Sequence, residues 1–161
     1  SDLWFRDTGY AQLIEEIDKT EGSKPIAVIF NLGVNDLGNA GNYVSYMTSI
    51  ASTLKSKNCK LFYMSVNPIN STMITKAGRG ARTEAQVREF NSKIRSGLSL
   101  DYKYIDMYSV LMKKGYGTNA SYNGTDADSD DGLHYTTKTF KRIYYYCITY
   151  LNTGSINASY Y

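Results

Sequence analysis

The chain has 161 residues, of which 42% are hydrophobic and 20% charged, and it carries a net charge of +3. This suits one soluble globular domain with a sizeable core; the charge is too small, and the basic residues too scattered, to argue for nucleic acid or an anionic membrane. No apolar run approaches the ~20 residues of a membrane span, and Cys59 and Cys147 form no C-x-x-C pair, so zinc and dithiol chemistry have no support and buried free thiols are expected, with a disulfide the alternative.

Residues 10 to 19, Y-A-Q-L-I-E-E-I-D-K, place Leu13, Ile14 and Ile17 at helical spacing. Gly22 and Pro25 then interrupt the chain. The run I-A-V-I-F-N-L, Ile26 to Leu32, is nearly all apolar and rich in branched side chains, which predicts a strand buried on both faces of a parallel sheet. It ends in the polar, glycine-punctuated loop G-V-N-D-L-G-N. Residues 42 to 56 are predicted helical, with Tyr43, Tyr46, Met47, Ile50 and Leu54 on one stripe.

A second buried strand, C-K-L-F-Y-M-S-V, is stopped by Asn67-Pro68. A long Asn/Ser/Thr/Gly-rich loop leads to a helix from Thr83 to Ser96, whose start has the spacing of a capping box between Thr83 and Gln86. Lys76, Arg79, Arg82 and Arg88 cluster here and are read as a solvated face rather than an anion site. A short third strand, Y-K-Y-I-D-M-Y, precedes a long polar loop from Gly115 to Gly132. The last helix is predicted from Thr136 to Leu151, with Phe140, Ile143, Tyr144, Cys147, Ile148 and Leu151 facing inward. Most of the sixteen tyrosines are expected to fill the core or decorate helices. N-x-S/T sequons stand at Asn70, Asn119, Asn123 and Asn157. The alternation of helices and buried strands predicts a single α/β domain around a parallel sheet, with no internal repeat.

In open α/β sheets, ligands bind beyond the carboxyl ends of the strands. Two strands end in polar sequences there, G-V-N-D (33 to 36) and S-V-N-P (65 to 68), and D-G-L-H (131 to 134) is placed to return to the same edge. Asn35 offers a neutral amide donor for a developing oxyanion, beside a glycine that permits close approach; equally, Asn35 and Asp36 suit a plain turn or helix cap. His134 is the only histidine. With a tight turn at Gly132, Asp131 can accept the imidazole Nδ1–H and leave Nε2 as a base; the bland alternative is a surface histidine among solvated aspartates.

The two blocks together, in this order and on this architecture, resemble the SGNH (GDSL-type) hydrolases. G-V-N-D is similar to that family's G-x-N-D block, and D-G-L-H to its D-x-x-H block. The resemblance runs from about Trp4 to Leu151. It implies a three-layer α/β/α sandwich with a flavodoxin-like parallel sheet. It also implies ester hydrolysis with His134 as general base, Asp131 orienting it and Asn35 as an oxyanion-hole donor. Gly33 and Asn67 are implied pocket residues, and no metal or cofactor is expected.

The family's G-D-S nucleophile block does not occur here, nor does G-x-S-x-G. Ser65 lies near a strand end, but the family places no nucleophile there; Ser1 is terminal, and Ser129 sits among aspartates. The expectation is that the family's first strands and nucleophile precede Ser1, on a segment that would then be a partner of this chain. Gly9 is a weaker candidate for the family's oxyanion-hole glycine. Two functions stay open: a secreted or extracellular esterase acting on a small-molecule or carbohydrate ester, acetyl esters foremost, and a non-catalytic binding or structural relative that has lost its nucleophile. A flavodoxin-like nucleotide or receiver domain lacks both a Gly-rich phosphate loop and an acidic cluster at the first strand end. Neither nucleic acid nor a membrane is an expected partner.

Overall fold

A computed structural model describes residues 2–20, 22–116 and 131–156. In chain order the elements are α1 (Asp2–Trp4), a π-helical turn (Phe5–Gly9), α2 (Tyr10–Lys19), β1 (Ile26–Phe30), α3 (Ala40–Ser56), β2 (Cys59–Met64), α4 (Ser71–Lys76), α5 (Glu84–Gly97), β3 (Lys103–Ile105), α6 (Met107–Lys113) and α7 (Thr137–Thr153). The chain is mixed α/β, with a three-stranded parallel sheet in the order β1-β2-β3. It divides into two compact units, Ser1–Met64 with Glu89–Tyr104, and Ser65–Arg88 with Ile105–Tyr161.

In the first unit β1 and β2 run parallel, Ile26 opposite Cys59 through Phe30 opposite Tyr63. Their branched and aromatic residues suit a pleated, packed surface. Val28, Phe30, Leu61 and Tyr63 are buried, and α3 packs against β2 with Tyr43, Met47, Ile50 and Leu54 inward. Tyr46, expected on that stripe, is half-buried and sits edge-on to Phe5. Phe5, Tyr63 and Tyr102 surround Phe30 with ring centroids 5.5–6.5 Å apart. Such ring pairs add roughly 0.5–1.5 kcal/mol beyond area burial. Each buried tyrosine here keeps its hydroxyl satisfied: Tyr63 donates to the Leu32 carbonyl at 3.0 Å and Tyr102 to the Met47 carbonyl at 2.7 Å. Burial pushes both phenols upward, so they act as neutral donors.

The expectation that the first strand is covered on both faces is corrected. β1 stops at Phe30, it is the outer strand of the sheet, and Ala27 is exposed. An apolar run signals a strand, but its composition cannot tell how many faces its neighbours cover.

In the second unit, short helices stand where the sequence suggested loop or strand. Asn70 caps α4 by accepting the Met73 N–H at 3.0 Å, and Asp106 caps α6 through the Ser109 N–H at 3.1 Å. The predicted box at the start of α5 is present in both directions: Gln86 N–H to the Thr83 hydroxyl at 3.2 Å, and Thr83 N–H to the Gln86 side chain at 2.9 Å. Glu84 in the same turn accepts from the Ile69 N–H and from the Tyr108 hydroxyl. α7 is capped by Thr136 and ended by left-handed Gly154. Its buried side is Thr139, Ile143, Tyr146 and Cys147. Phe140 (54% exposed), Tyr144 (69%) and Ile148 (37%) do not face inward as expected, because the buried stripe runs one residue to the side of them. Both cysteines are buried free thiols, and burial raises both.

Candidate active site

The D-G-L-H segment of the second unit forms a closed local structure. Asp131 Oδ1 accepts the backbone N–H groups of Leu133 at 2.9 Å and His134 at 2.8 Å. A side-chain carboxylate mimicking a backbone turn in this way is the usual reason for Asp at such a position. Gly132 takes φ +79°, and a Cβ there would lie 2.6 Å from the Asn70 carbonyl oxygen and 2.8 Å from Met73 Cβ. Glycine is thus needed both for the left-handed backbone and for the close approach. Asn70 N–H donates to the Gly132 carbonyl at 2.9 Å, and the Tyr135 hydroxyl donates to the Pro68 carbonyl. Residues 68–73 therefore form the bed on which residues 131–135 lie.

The turn brings Asp131 Oδ2 to 2.7 Å from His134 Nδ1. An ionised carboxylate can only accept, so Nδ1 carries the proton and the neutral ring keeps its lone pair on Nε2. The two side chains differ sharply in exposure: Asp131 is 11% exposed and His134 is 68% exposed. The arrangement is an anchored carboxylate holding an accessible imidazole in one tautomer. Burial alone would raise the Asp131 carboxyl. It is outweighed by the His134 N–H, the imidazole and the Leu133 N–H, which hold the group well below the usual carboxylate range. Arg79 Nε donates to the same Oδ2 at 3.1 Å.

In the first unit, Gly33 takes φ +118°, and a Cβ there would stand 2.2 Å from the Phe90 ring. Asp36 N–H donates to the Gly33 carbonyl at 2.9 Å, closing a turn with exposed Asn35 at its tip. The Asp36 carboxylate accepts from the Tyr43 hydroxyl at 2.9 Å, which ties the turn to α3.

No protein-family model matches the chain, and no curated protein matches it.

Of the residues expected at a site, the structure joins Asp131 and His134 directly. Asn67 lies in the same unit, one residue before the Pro68 that receives Tyr135, and its Oδ1 is buried without a hydrogen-bond partner. Gly33 and Asn35 belong to the first unit. Ser65 is fully buried, and its hydroxyl accepts the Tyr108 N–H at 2.7 Å, so it anchors the start of α6 rather than facing a substrate. Gly9 lies in the π-helical turn under the Trp4 and Phe5 rings. Ser1, Ser129 and three of the sequons fall outside the described residues. The fourth, at Asn70, is buried and occupied as a helix cap.

Two site residues escaped the sequence. Asn70 combines the α4 cap with the bond to Gly132; the local signal was its place just before S-T-M-I. Arg79, read as part of a solvated face, is 55% exposed, and what the sequence did not show is its bond to Asp131, 52 residues away. Among the described residues no three or more His, Cys, Asp or Glu side chains are grouped to hold a metal ion. No helix among them is long and apolar enough to cross a membrane.

Proposed function

We propose that this chain carries the base half of a serine-type ester hydrolase of the SGNH kind, acting on a carbohydrate or other small acetyl ester. The observation that supports it is the Asp131–His134 pair: a buried, hydrogen-bonded carboxylate fixing Nδ1–H, with Nε2 left on an exposed ring. In this reading the finer fold is the three-layer α/β/α sandwich of that family. The nucleophilic serine lies outside these 161 residues, on a preceding segment that acts as the chain's partner.

His134 Nε2 takes the serine proton as the hydroxyl oxygen attacks the ester carbonyl, and the imidazolium is stabilised by ionised Asp131. The tetrahedral oxyanion of this reaction calls for a neutral hydrogen-bond donor, the role that the sequence resemblance gives to the Asn35 amide. One such donor is worth roughly 10²–10³ in kcat. Collapse passes the proton from Nε2 to the departing alcohol and leaves an acyl-enzyme. Water, deprotonated by the same imidazole, then releases the acid. Asn67, with its buried amide oxygen, is read as part of the pocket wall.

The test is acetyl-ester turnover by protein extended at its N-terminus to include the serine, beside its His134→Ala variant. Loss of at least about 10²-fold in kcat/KM is expected for the variant, and negligible turnover for the 161-residue chain alone. Equal rates for the extended protein and its variant would leave the non-catalytic binding domain as the better account. That second reading draws on the engaged hydroxyl of Ser65.

A further inference from the structure

The loop after α4 is built rather than loose. Gly78, at φ +67°, follows the helix, and the Arg79 N–H returns to the Ile74 carbonyl at 3.1 Å. The Arg82 guanidinium bonds back to the Arg79 carbonyl. Asn70 fixes the opposite end of the same helix, capping it while donating to the Gly132 carbonyl. α4 is thereby joined to the D-G-L-H turn at both ends, through a backbone bond at the front and the Arg79 side chain at the back.

We infer that Arg79 is a positioning residue for His134, acting through the one carboxylate oxygen, Asp131 Oδ2, that both side chains share. It deepens the hydrolase reading and rests on it for its catalytic meaning, although the physical claim can be measured without any activity. The guanidinium Nε and the imidazole Nδ1 both bond Oδ2, at 3.1 and 2.7 Å. With two backbone N–H groups holding Oδ1, the Arg79 bond helps keep Oδ2 turned toward the ring. Being a fixed cation, it also opposes a second positive charge on the neighbouring imidazole. Among the described residues, other charged groups lie on the elements that flank this turn, while Asp126, Asp128 and Asp130 precede it in the sequence. α4 brings Lys76 in its last turn, and Arg82 follows in the next loop; the first turn of α7 brings Lys138 and no acid. Asp131 is the carboxylate bonded to the ring.

Because His134 is the only histidine, its ring signals in a nuclear magnetic resonance titration need no assignment. The 161-residue chain is compared with its Arg79→Ala, Arg79→Lys and Lys76→Ala variants. Arg79→Ala is expected to move the imidazole titration curve to higher pH and to weaken the preference for the Nδ1–H tautomer. Arg79→Lys should return part of the shift, and Lys76→Ala, removing a nearby cation that does not touch Asp131, should leave the curve in place. Superimposable curves for Arg79→Ala and the native chain overturn the proposal, as does an equal shift for Lys76→Ala. Should Arg79→Ala fail to fold, Arg79→Gln replaces it under the same criteria. A displaced curve combined with no turnover in the N-terminally extended protein would sink the hydrolase reading and leave the positioning role standing.

Discussion

Asp131 receives two backbone N–H groups on one oxygen and the imidazole with Arg79 on the other, so it cannot take a proton without giving up hydrogen bonds. Its carboxyl is held below the ordinary range, so the unfolded chain binds the proton more readily than the folded one. The resulting stabilisation is complete above the unfolded value near 4 and disappears as the pH falls below it, through the depressed folded value. Urea unfolding between about pH 6 and about pH 2.5 should therefore show the native chain losing more stability than Asp131→Asn. Parallel losses would remove Asp131 as an ionised anchor. The three-residue spacing of Asp131 and His134 made this pair readable from sequence, since a turn at glycine can close it. Arg79 was not readable, because its meaning depends on where α4 sets the loop that follows.

At the scale of elements, local chemistry was legible and tertiary docking was not. The Thr83–Gln86 box formed as the sequence indicated, because both partners lie within one turn. α4 and α6 were missed despite equally local caps at Asn70 and Asp106. Each is short, and α4 holds Thr72, Ile74 and Thr75, β-branched residues that disfavour helix in isolation. Removing the Thr83 cap by Thr83→Ala should cost about 1 kcal/mol. Asn70→Ala should cost more, since the residue is buried and its helix carries Arg79 to Asp131. Chemical denaturation of the two variants ranks them, and equal costs would mean that α4 is not held as a docked unit.

At the scale of the whole chain, five of the sixteen tyrosines pack with a polar end satisfied. Tyr43, Tyr63, Tyr102, Tyr108 and Tyr135 each donate their hydroxyl to an acceptor on another part of their own unit. α7 is the exception to inward packing. The helical period was read correctly, but the phase of the buried side was not, since apolar residues occur nearly all round this helix. Tyr144→Ser and Phe140→Ser should each stay within about 0.5 kcal/mol of the native stability, whereas Ile143→Ala should lose about 2 kcal/mol or more. Thermal or urea unfolding separates these outcomes; a large loss at Tyr144 would show that its face is covered.

Each compact unit is stitched from two separated stretches of chain, with the crossings after Met64, Arg88 and Tyr104. The second crossing falls inside α5 and the third inside β3. A cut after Met64 therefore frees the second unit, and a cut after Tyr104 the first, only with a stretch of the other unit still attached. A fragment that ends at the Arg88 crossing divides both units and α5 at once.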